Sequence, residues 1–364
     1  MIASFWPLFN PSGSAVYAYE LSRHLSRKGI KVTFIAASGC SRDYRFRVNP
    51  NFDVILKASH LVVRNVYPIS IIFDELRKLD VDVIHVHSYL YFLAIQTALF
   101  RRLLRRIPLV IHIHGSLKYV DSKLLSAKIK EYLFDPLVGG FVLKTADKVL
   151  SIARADIPTI YRKFRLRAEW LPNAVDVNRF KPPEEDRRFS KKLVVYIGRL
   201  EPWKGIEDLI RIIHIVCRQV SNVRFLIVGS GSMGKALKKL KAPIKVVDKI
   251  PYNRIHKIYQ LATVVILPSY MEGAPNILLE AGASGVPVVA TNVGDSSSIV
   301  KDNETGFIVE PGDVRNFADR VMQLLEDESL WRSMSRNAVE YIREKFSFDS
   351  VAQRALKIYS SLAK

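Results

Sequence analysis

One stretch constrains this chain more than any other, residues 264–291. Val264 to Leu267 is a short, β-branched apolar run that reads as a buried strand ending at Pro268 and Ser269. A polar loop follows, carrying Glu272 and Gly273. Pro275 suits the first turn of a helix, where its missing N–H costs nothing. That helix is predicted to run through Glu280 and to stop near Gly285, just before Pro287. Val286 to Thr291 reads as the next strand. The unit is βαβ, with a glycine-containing loop over a helix N-terminus. Free backbone N–H groups and the helix dipole there favour a phosphate or a sugar hydroxyl.

Glu272 on the loop and Glu280 inside the helix sit at the carboxyl end of that strand. Carboxylates so placed can accept hydrogen bonds from a ligand's hydroxyls. A surface glutamate and a solvated helix glutamate would give the same letters, because Glu is common on helices.

A length of 364 residues points to two domains, and 49% hydrophobic with 25% charged residues is the balance of a globular protein. Cys40 and Cys217 are far apart and in no metal-ligand spacing, which suggests a reducing compartment without a disulfide framework. Met1 to Asn10 lacks the basic start of a signal peptide, and Pro7 breaks its apolar run. The longest uncharged stretch, Val83 to Phe100, contains two histidines, Gln96 and Thr97, too polar for a membrane span.

The formal net charge is +20. Residues 1–175 carry 26 Lys and Arg against 13 Asp and Glu, and the remainder 29 against 22, so the first half is the more basic. A basic face attracts anionic lipid, nucleic acid or phosphorylated substrates, and a general solubility charge would look the same. No aromatic nucleic-acid motif or zinc-finger spacing accompanies the charge, which argues against nucleic acid as a partner.

The start of the chain repeats the βαβ pattern. Ile2 to Phe5 reads as a strand, Pro7 to Ser14 as a loop, Ala15 to Lys28 as a helix ended by Gly29, and Lys31 to Ala37 as a strand. Gly13 at the helix entrance would let backbone approach a phosphate; a tight-turn role explains it equally. Residues 38–60 read as irregular and basic. Ile69 to Leu79 reads as a helix, and Val81 to Val86 as a strand with His85 and His87 at its end. Asp80-Val-Asp82 has the Asp-x-Asp form that holds a divalent cation in some sugar transferases. It precedes the strand, at the end away from the expected site, and reads as a helix end and a strand start.

Leu90 to Arg106 is predicted helical, ending in Arg101, Arg102, Arg105 and Arg106 around Leu103 and Leu104. Such a face could rest on an anionic bilayer or simply be solvated. Leu109 to Ile113 leads into His114-Gly115, a better site candidate than a lone core histidine. Val149 to Ala153 is a further strand.

A second α/β series follows a proline- and charge-rich stretch, residues 181–191, that reads as a linker. Leu193 to Ile197 runs into Gly198-Arg199-Leu-Glu-Pro-Trp203-Lys204-Gly205, then a helix from Ile206 to Arg218. Val223 to Val228, Lys245 to Ile250 and Gly306 to Val309 complete the strands, and three helical stretches close the chain, the last from Ser347 to Leu362. Two doubly wound domains are therefore expected. Arg199 and Lys204 flank one βα loop and would set two positive charges against a diphosphate, Arg bidentately and Lys as a point charge.

Gly198-Arg199 through Lys204-Gly205, Glu272-Gly-x-Pro-Asn276, the Glu-x7-Glu spacing to Glu280, Asn173-x-Val-Asp176, Gly13, His114-Gly115 and Val293-Gly294-Asp295 together resemble the retaining GT-B glycosyltransferases of the glycosyl transferases group 1 family, family 4. The similarity covers nearly the whole chain. It implies two Rossmann-like domains facing across a cleft: an acceptor domain over residues 1–175, a donor domain over residues 176–345, and a terminal helix, 346–364, that returns to the first domain.

By this resemblance Arg199 and Lys204 neutralise the diphosphate leaving group, and Glu280 accepts the ribose hydroxyls. Glu272 sits at the donor sugar, where backbone N–H groups around Gly273 to Asn276 hold hydroxyls, and Ala274, Pro275 and Ile277 belong to the same donor-binding stretch. Asp248 and Ile250 border the nucleobase, His114 lies near the reacting sugar, and Gly13 lets its loop close. The implied donor is a nucleotide sugar, UDP-sugar first, with no metal and no cofactor. The implied acceptor is a glycolipid, lipid-linked oligosaccharide or polysaccharide, handled in the cytoplasm or on the inner membrane face.

Ser14, Ala174 and Asp248 stand where many members carry glycine: Ser14 bears on the geometry of its loop, Ala174 is a mild change, and Asp248, near the nucleobase, leaves UDP, GDP and ADP open. Two other readings remain at this point. One is a related sugar-nucleotide enzyme with a soluble acceptor, and the other a basic, non-catalytic binding protein.

Overall fold

The computed structural model of the chain describes residues 1–5, 13–63, 67–104, 106–114, 130–185 and 188–363. Gly115, Arg105, residues 7–12 of the expected first loop and residues 186–187 of the expected linker lie outside them. Contacts divide the chain into two compact units, Met1–Asn173 with Phe348–Lys364, and Ala174–Ser347.

The first unit is built on β1 (Ile2–Phe5), β2 (Val32–Ala37), β3 (Tyr44–Asn49), β4 (Phe52–Lys57), a separate ribbon of β5 (Leu61–Val63) and β6 (Tyr67–Ile69), then β7 (Ile84–His87), β8 (Leu109–Ile113), β9 (Lys148–Ser151) and β10 (Ala168–Trp170). The main sheet runs β10-β9-β8-β7-β1-β2-β4-β3. Every neighbour pairs parallel except β3 with β4. β7, β8 and β2 are nearly all buried, as strands covered on both faces must be. Ile35, Val86, Leu93, Ile111 and Val142 sit in the core of this unit.

The helix Gly13–Arg27 follows β1 and packs against the last helix, Phe348–Leu362. His24 clamps the pair: its ring stacks on Phe348 at 5.4 Å, and its Nδ1 lies 3.0 Å from Asp349 Oδ1. The His24 contact helps hold the Asp349 carboxyl below its usual range.

Two expectations for this unit fail. Residues 38–60 are not irregular: β3 and β4 form an antiparallel pair at the sheet edge. Arg45 and Arg47 are drawn onto Glu75 and Asp53, so an arginine-rich strand closes the sheet and blunts its edge. The helix expected from Ile69 starts only at Phe73. Gln96 is the reason. Its side chain accepts from Ile72 N–H at 3.0 Å and donates to Ser70 O at 2.7 Å, replacing the bonds a helix would make.

The second unit holds β11 (Leu193–Ile197), β12 (Arg224–Val228), β13 (Ile244–Val247), β14 (Val264–Leu267), β15 (Val288–Thr291) and β16 (Gly306–Val309) in the order β13-β12-β11-β14-β15-β16, all parallel. Its helix Ile206–Gln219 places Ile206, Leu209, Ile212, Ile213 and Val216 in the core and leaves Glu207 and Arg211 outward, a regular amphipathic face. Phe225, Ile266 and Phe317 join the same core. Among the described residues no helix is long and apolar enough to cross a membrane.

Candidate functional site

Strand order in the second unit reverses between β11 and β14. Loops leaving neighbouring strands at such a point turn to opposite faces and leave a crevice outside the carboxyl ends. The two loops here are residues 198–205 and 268–275, the ones that carry the expected cations and Glu272.

These loops press backbone against backbone. Gly205 takes φ +70°, and a Cβ there would lie 1.8 Å from Pro268 O. The loop after β15 locks on from the other side. Gly294 has φ +57°, a Cβ on it would lie 2.3 Å from Gly273 O, and Asp295 N–H donates to that oxygen at 2.8 Å. Only glycine permits both approaches.

Within this frame Lys204 Nζ lies 2.6 Å from Glu272 Oε1, with the two side chains 14% and 9% exposed. Ser269 donates to the same oxygen at 2.7 Å. The Arg199 guanidinium and the Lys204 ammonium both lie against the Trp203 ring, 4.6 and 4.7 Å from its centre. Among the described residues no carboxylate is at ion-pair distance from Arg199, so its charge is uncommitted. The Tyr196 hydroxyl donates to Arg199 O at 2.9 Å. Burial pushes its pKa well above the ordinary range, Glu272 adds to the shift and Arg199 opposes it.

The helix after the second loop is Asn276–Ala283, and Pro275 is the extended residue before it rather than its first turn. Its first N–H groups, at Asn276 and Ile277, have no intrahelical acceptor. Glu280 stands apart from the Lys204 pair: the Tyr259 hydroxyl donates to its Oε2 at 2.8 Å. The residue is half-buried, and burial pushes its pKa up to about 7 against the opposing pull of Tyr259 and Arg179. Asp248 follows β13 and is exposed, with Lys238 Nζ 2.8 Å away; Ile250 is half-buried. An exposed pair of this kind is easily exchanged for a ligand.

Gly13 and His114 belong to the first unit. Gly13 is the first residue of its helix, with open space where a Cβ would point. His114 follows β8, its Nε2 3.0 Å from His87 Nδ1 and its ring 5.1 Å from Tyr17. Burial holds it neutral.

Sequence reasoning missed three contributors. Trp203 was available as an aromatic between Arg199 and Lys204, and Ser269 as a hydroxyl three residues before Glu272. Tyr259 left no signal, because its contact with Glu280 is made between segments 21 residues apart.

An open, largely parallel sheet in each of two units, with cations and carboxylates at the second one's switch point, is the arrangement of the GT-B class of glycosyltransferases. The profile described as Glycosyl transferases group 1 matches residues 178–341, and that described as Glycosyltransferase Family 4 matches residues 11–179. The chain belongs to this family and is a glycosyltransferase. N-acetyl-alpha-D-glucosaminyl L-malate synthase of Bacillus anthracis is 24% identical over 379 residues, 95% of this chain and 93% of that one. Sucrose-phosphate synthase of Thermosynechococcus elongatus shares the fold with a TM-score of 0.79 at 21% identity, covering 99% of this chain and 98% of that one. Anabaena HepE in complex with UDP-glucose does so at 0.71 and 17%, covering 99% of each.

Proposed function

We propose that this enzyme moves a hexose from a nucleotide sugar, a UDP-sugar first, to a glycolipid, lipid-linked oligosaccharide or polysaccharide acceptor, with retention at the sugar carbon. The observation that carries the reading is that Arg199 and the Lys204–Glu272 ion pair sit on the two loops at the switch point of one sheet.

In the reaction the bond between the sugar carbon and the phosphate oxygen breaks, and its electron pair stays on the oxygen. Charge develops there, and fixed cations lower the barrier more than mobile water can. Arg199 grips the diphosphate and Lys204 leaves Glu272 for it. Glu272, still held by Ser269, turns to a hydroxyl of the donor sugar. The N–H groups of Asn276 and Ile277 hold further hydroxyls with Gly273 and Ala274. Glu280 takes the ribose hydroxyls, Asp248 and Ile250 border the base, His114 lies near the reacting sugar, and Gly13 lets its loop close on the phosphates or the acceptor. Arg199 and Lys204 supply the positive charge that a divalent cation supplies in other transferases.

Transfer assayed with a panel of UDP-, GDP- and ADP-sugars tests this. Lys204→Ala is expected to lower transfer by at least about a hundredfold, on the scale of losing one stabilising group, while the circular dichroism stays unchanged. Added Mn²⁺ or Mg²⁺ is expected to leave the rate unchanged. Full activity in Lys204→Ala, or a strict Mn²⁺ requirement, refutes the scheme.

A soluble acceptor is the second reading, and one observation favours it. Arg101, counted on sequence grounds toward a membrane-facing surface, is folded back onto Ile107 O, Thr145 O and Asp147. Leu103 and Leu104 remain 70% and 53% exposed beside it. Co-sedimentation with anionic vesicles decides: binding supports the lipid-linked acceptor, and its absence the soluble one.

A further inference from the structure

The first unit gathers four histidines on two strands, and three of them, buried His85, His87 and His112, have no part in the transfer reaction. β7 carries His85-Val-His87 and β8 carries His112-Ile-His114, and the parallel register sets His87 opposite His112. The two-residue repeat of a strand puts all four on one face. His85, His87 and His112 are 2%, 1% and 0% exposed. Their rings lie 4.3 Å (His85 and His87), 5.5 Å (His85 and His112) and 5.7 Å (His87 and His112) apart.

Each ring is tied by one nitrogen and not the other. His85 Nδ1 meets the Tyr359 hydroxyl at 2.6 Å, His87 Nδ1 meets His114 Nε2 at 3.0 Å, and His112 Nε2 meets Leu171 O at 2.9 Å. A carbonyl only accepts, so the His112 proton is on Nε2 and its Nδ1 presents a bare lone pair. Nδ1 of His112, Nε2 of His85 and Nε2 of His87 are fully buried and have no hydrogen-bond partner. Unsatisfied buried polar atoms are rare and costly, and three in one cluster call for a common partner. One nitrogen from each ring can be chosen so that all three lie within 4.8 Å of one another.

We propose that His85, His87 and His112 hold one structural divalent ion of the zinc class in the first unit. The donor set decides the class: three imidazoles and no carboxylate suit Zn²⁺, Co²⁺, Ni²⁺ or Cu²⁺, not Mg²⁺ or Ca²⁺. Tyr359 and Leu171 stand where outer-shell partners stand in histidine metal sites, fixing ring orientation from behind. Bonds of about 2.0–2.1 Å put tetrahedral ligands roughly 3.3 Å apart, so the farthest pair closes by at most about 1.5 Å. The fourth position is left to water or a small anion. Such an ion ties β7 to β8 and, through Tyr359, to the last helix. It is independent of the donor chemistry in the second unit.

The test uses the untagged full chain, stripped with a chelator and then titrated with Co²⁺ and Zn²⁺. One equivalent of Co²⁺ with the visible bands of a four-coordinate ion is expected, and Zn²⁺ is expected to raise the melting temperature by about 5 °C or more. His112→Gln keeps an amide donor for Leu171 O but replaces the imidazole nitrogen with a much poorer ligand for these metals, and is expected to abolish both signals. Tyr359→Phe removes only the outer contact and is expected to weaken binding by about tenfold or more. Three results overturn the proposal: no bound cobalt in the wild type, a purely octahedral aqueous-type spectrum, or binding that survives in His112→Gln. Should His112→Gln fail to fold, the wild-type stoichiometry and the Tyr359→Phe affinity decide, and unchanged affinity in the latter counts against it.

Discussion

Glu280 is the residue whose environment departs furthest from the letters around it. From sequence it is a helix carboxylate eight places after Glu272; in the structure it faces a buried tyrosine, and burial pushes its pKa up from the ordinary 4.5 to about 7. The sign of its effect on stability follows. Below about pH 4.5 it is protonated in both the folded and the unfolded chain and contributes no difference. Between 4.5 and 7 only the unfolded chain ionises, so stability falls as pH rises, and above 7 the full cost is present. Glu280→Gln, which cannot ionise, is therefore expected to match the wild type near pH 4.5 and to exceed it above pH 7 by roughly 1–3 kcal/mol, measured by denaturant titration at several pH values. Equal stability at all pH values would mean that the carboxyl ionises freely. The same contrast explains what the sequence could and could not tell about the site. Arg199, Lys204 and Glu272 were legible because each sits next to a strand end in the chain itself. Tyr259 on Glu280 was not, because a contact between loop and helix partners has no local pattern.

At the scale of elements, the strands that read most clearly were those buried on both faces. β8, β11, β14 and β16 run between the residues expected from their apolar letters. The edge resisted for a physical reason: β3 is exposed almost throughout and alternates arginine with aromatic and aliphatic residues, so it has no buried face to announce it. Helix starts resisted too, because a side chain far away in sequence can hold a segment extended. Gln96 does this for residues 70–72 with two hydrogen bonds inside the protein. Gln96→Ala strands a backbone N–H and a carbonyl in a buried place. It is expected to cost about 1–3 kcal/mol, read as a lower denaturation midpoint with no change in slope. A loss below about 0.5 kcal/mol would show that the segment 70–72 is held by its neighbours instead.

At the scale of the molecule, the two units are unequal as pieces of chain. The second is one continuous segment whose ends are tied together: Val175 bridges to Ser347, and its N–H donates to Phe346 O at 2.9 Å. Its entering arm is anchored inside it, with buried Arg188 donating to Ser284 O at 2.7 Å and accepting from Thr263 at 2.6 Å. A compact segment with its own core and adjoining ends is able to fold alone. The first unit is assembled from two segments. Without residues 348–364 it loses Phe348, Val351, Ala352 and Ala355 from its core and Tyr359 from His85. Burial of Phe348 alone is on the order of 3–5 kcal/mol, a large share of what holds a domain together. A fragment spanning residues 174–347 is therefore expected to melt in one cooperative step. Because Arg199, Lys204, Glu272 and Glu280 all lie within it, it should bind UDP within about tenfold of the full chain by calorimetry. A chain ending at residue 347 is expected to keep that transition and lose the one belonging to the first unit. A fragment that folds but binds the nucleotide a hundredfold more weakly would show that the first unit supplies part of the diphosphate grip. A chain ending at 347 with both transitions intact would remove the structural weight given to the last helix.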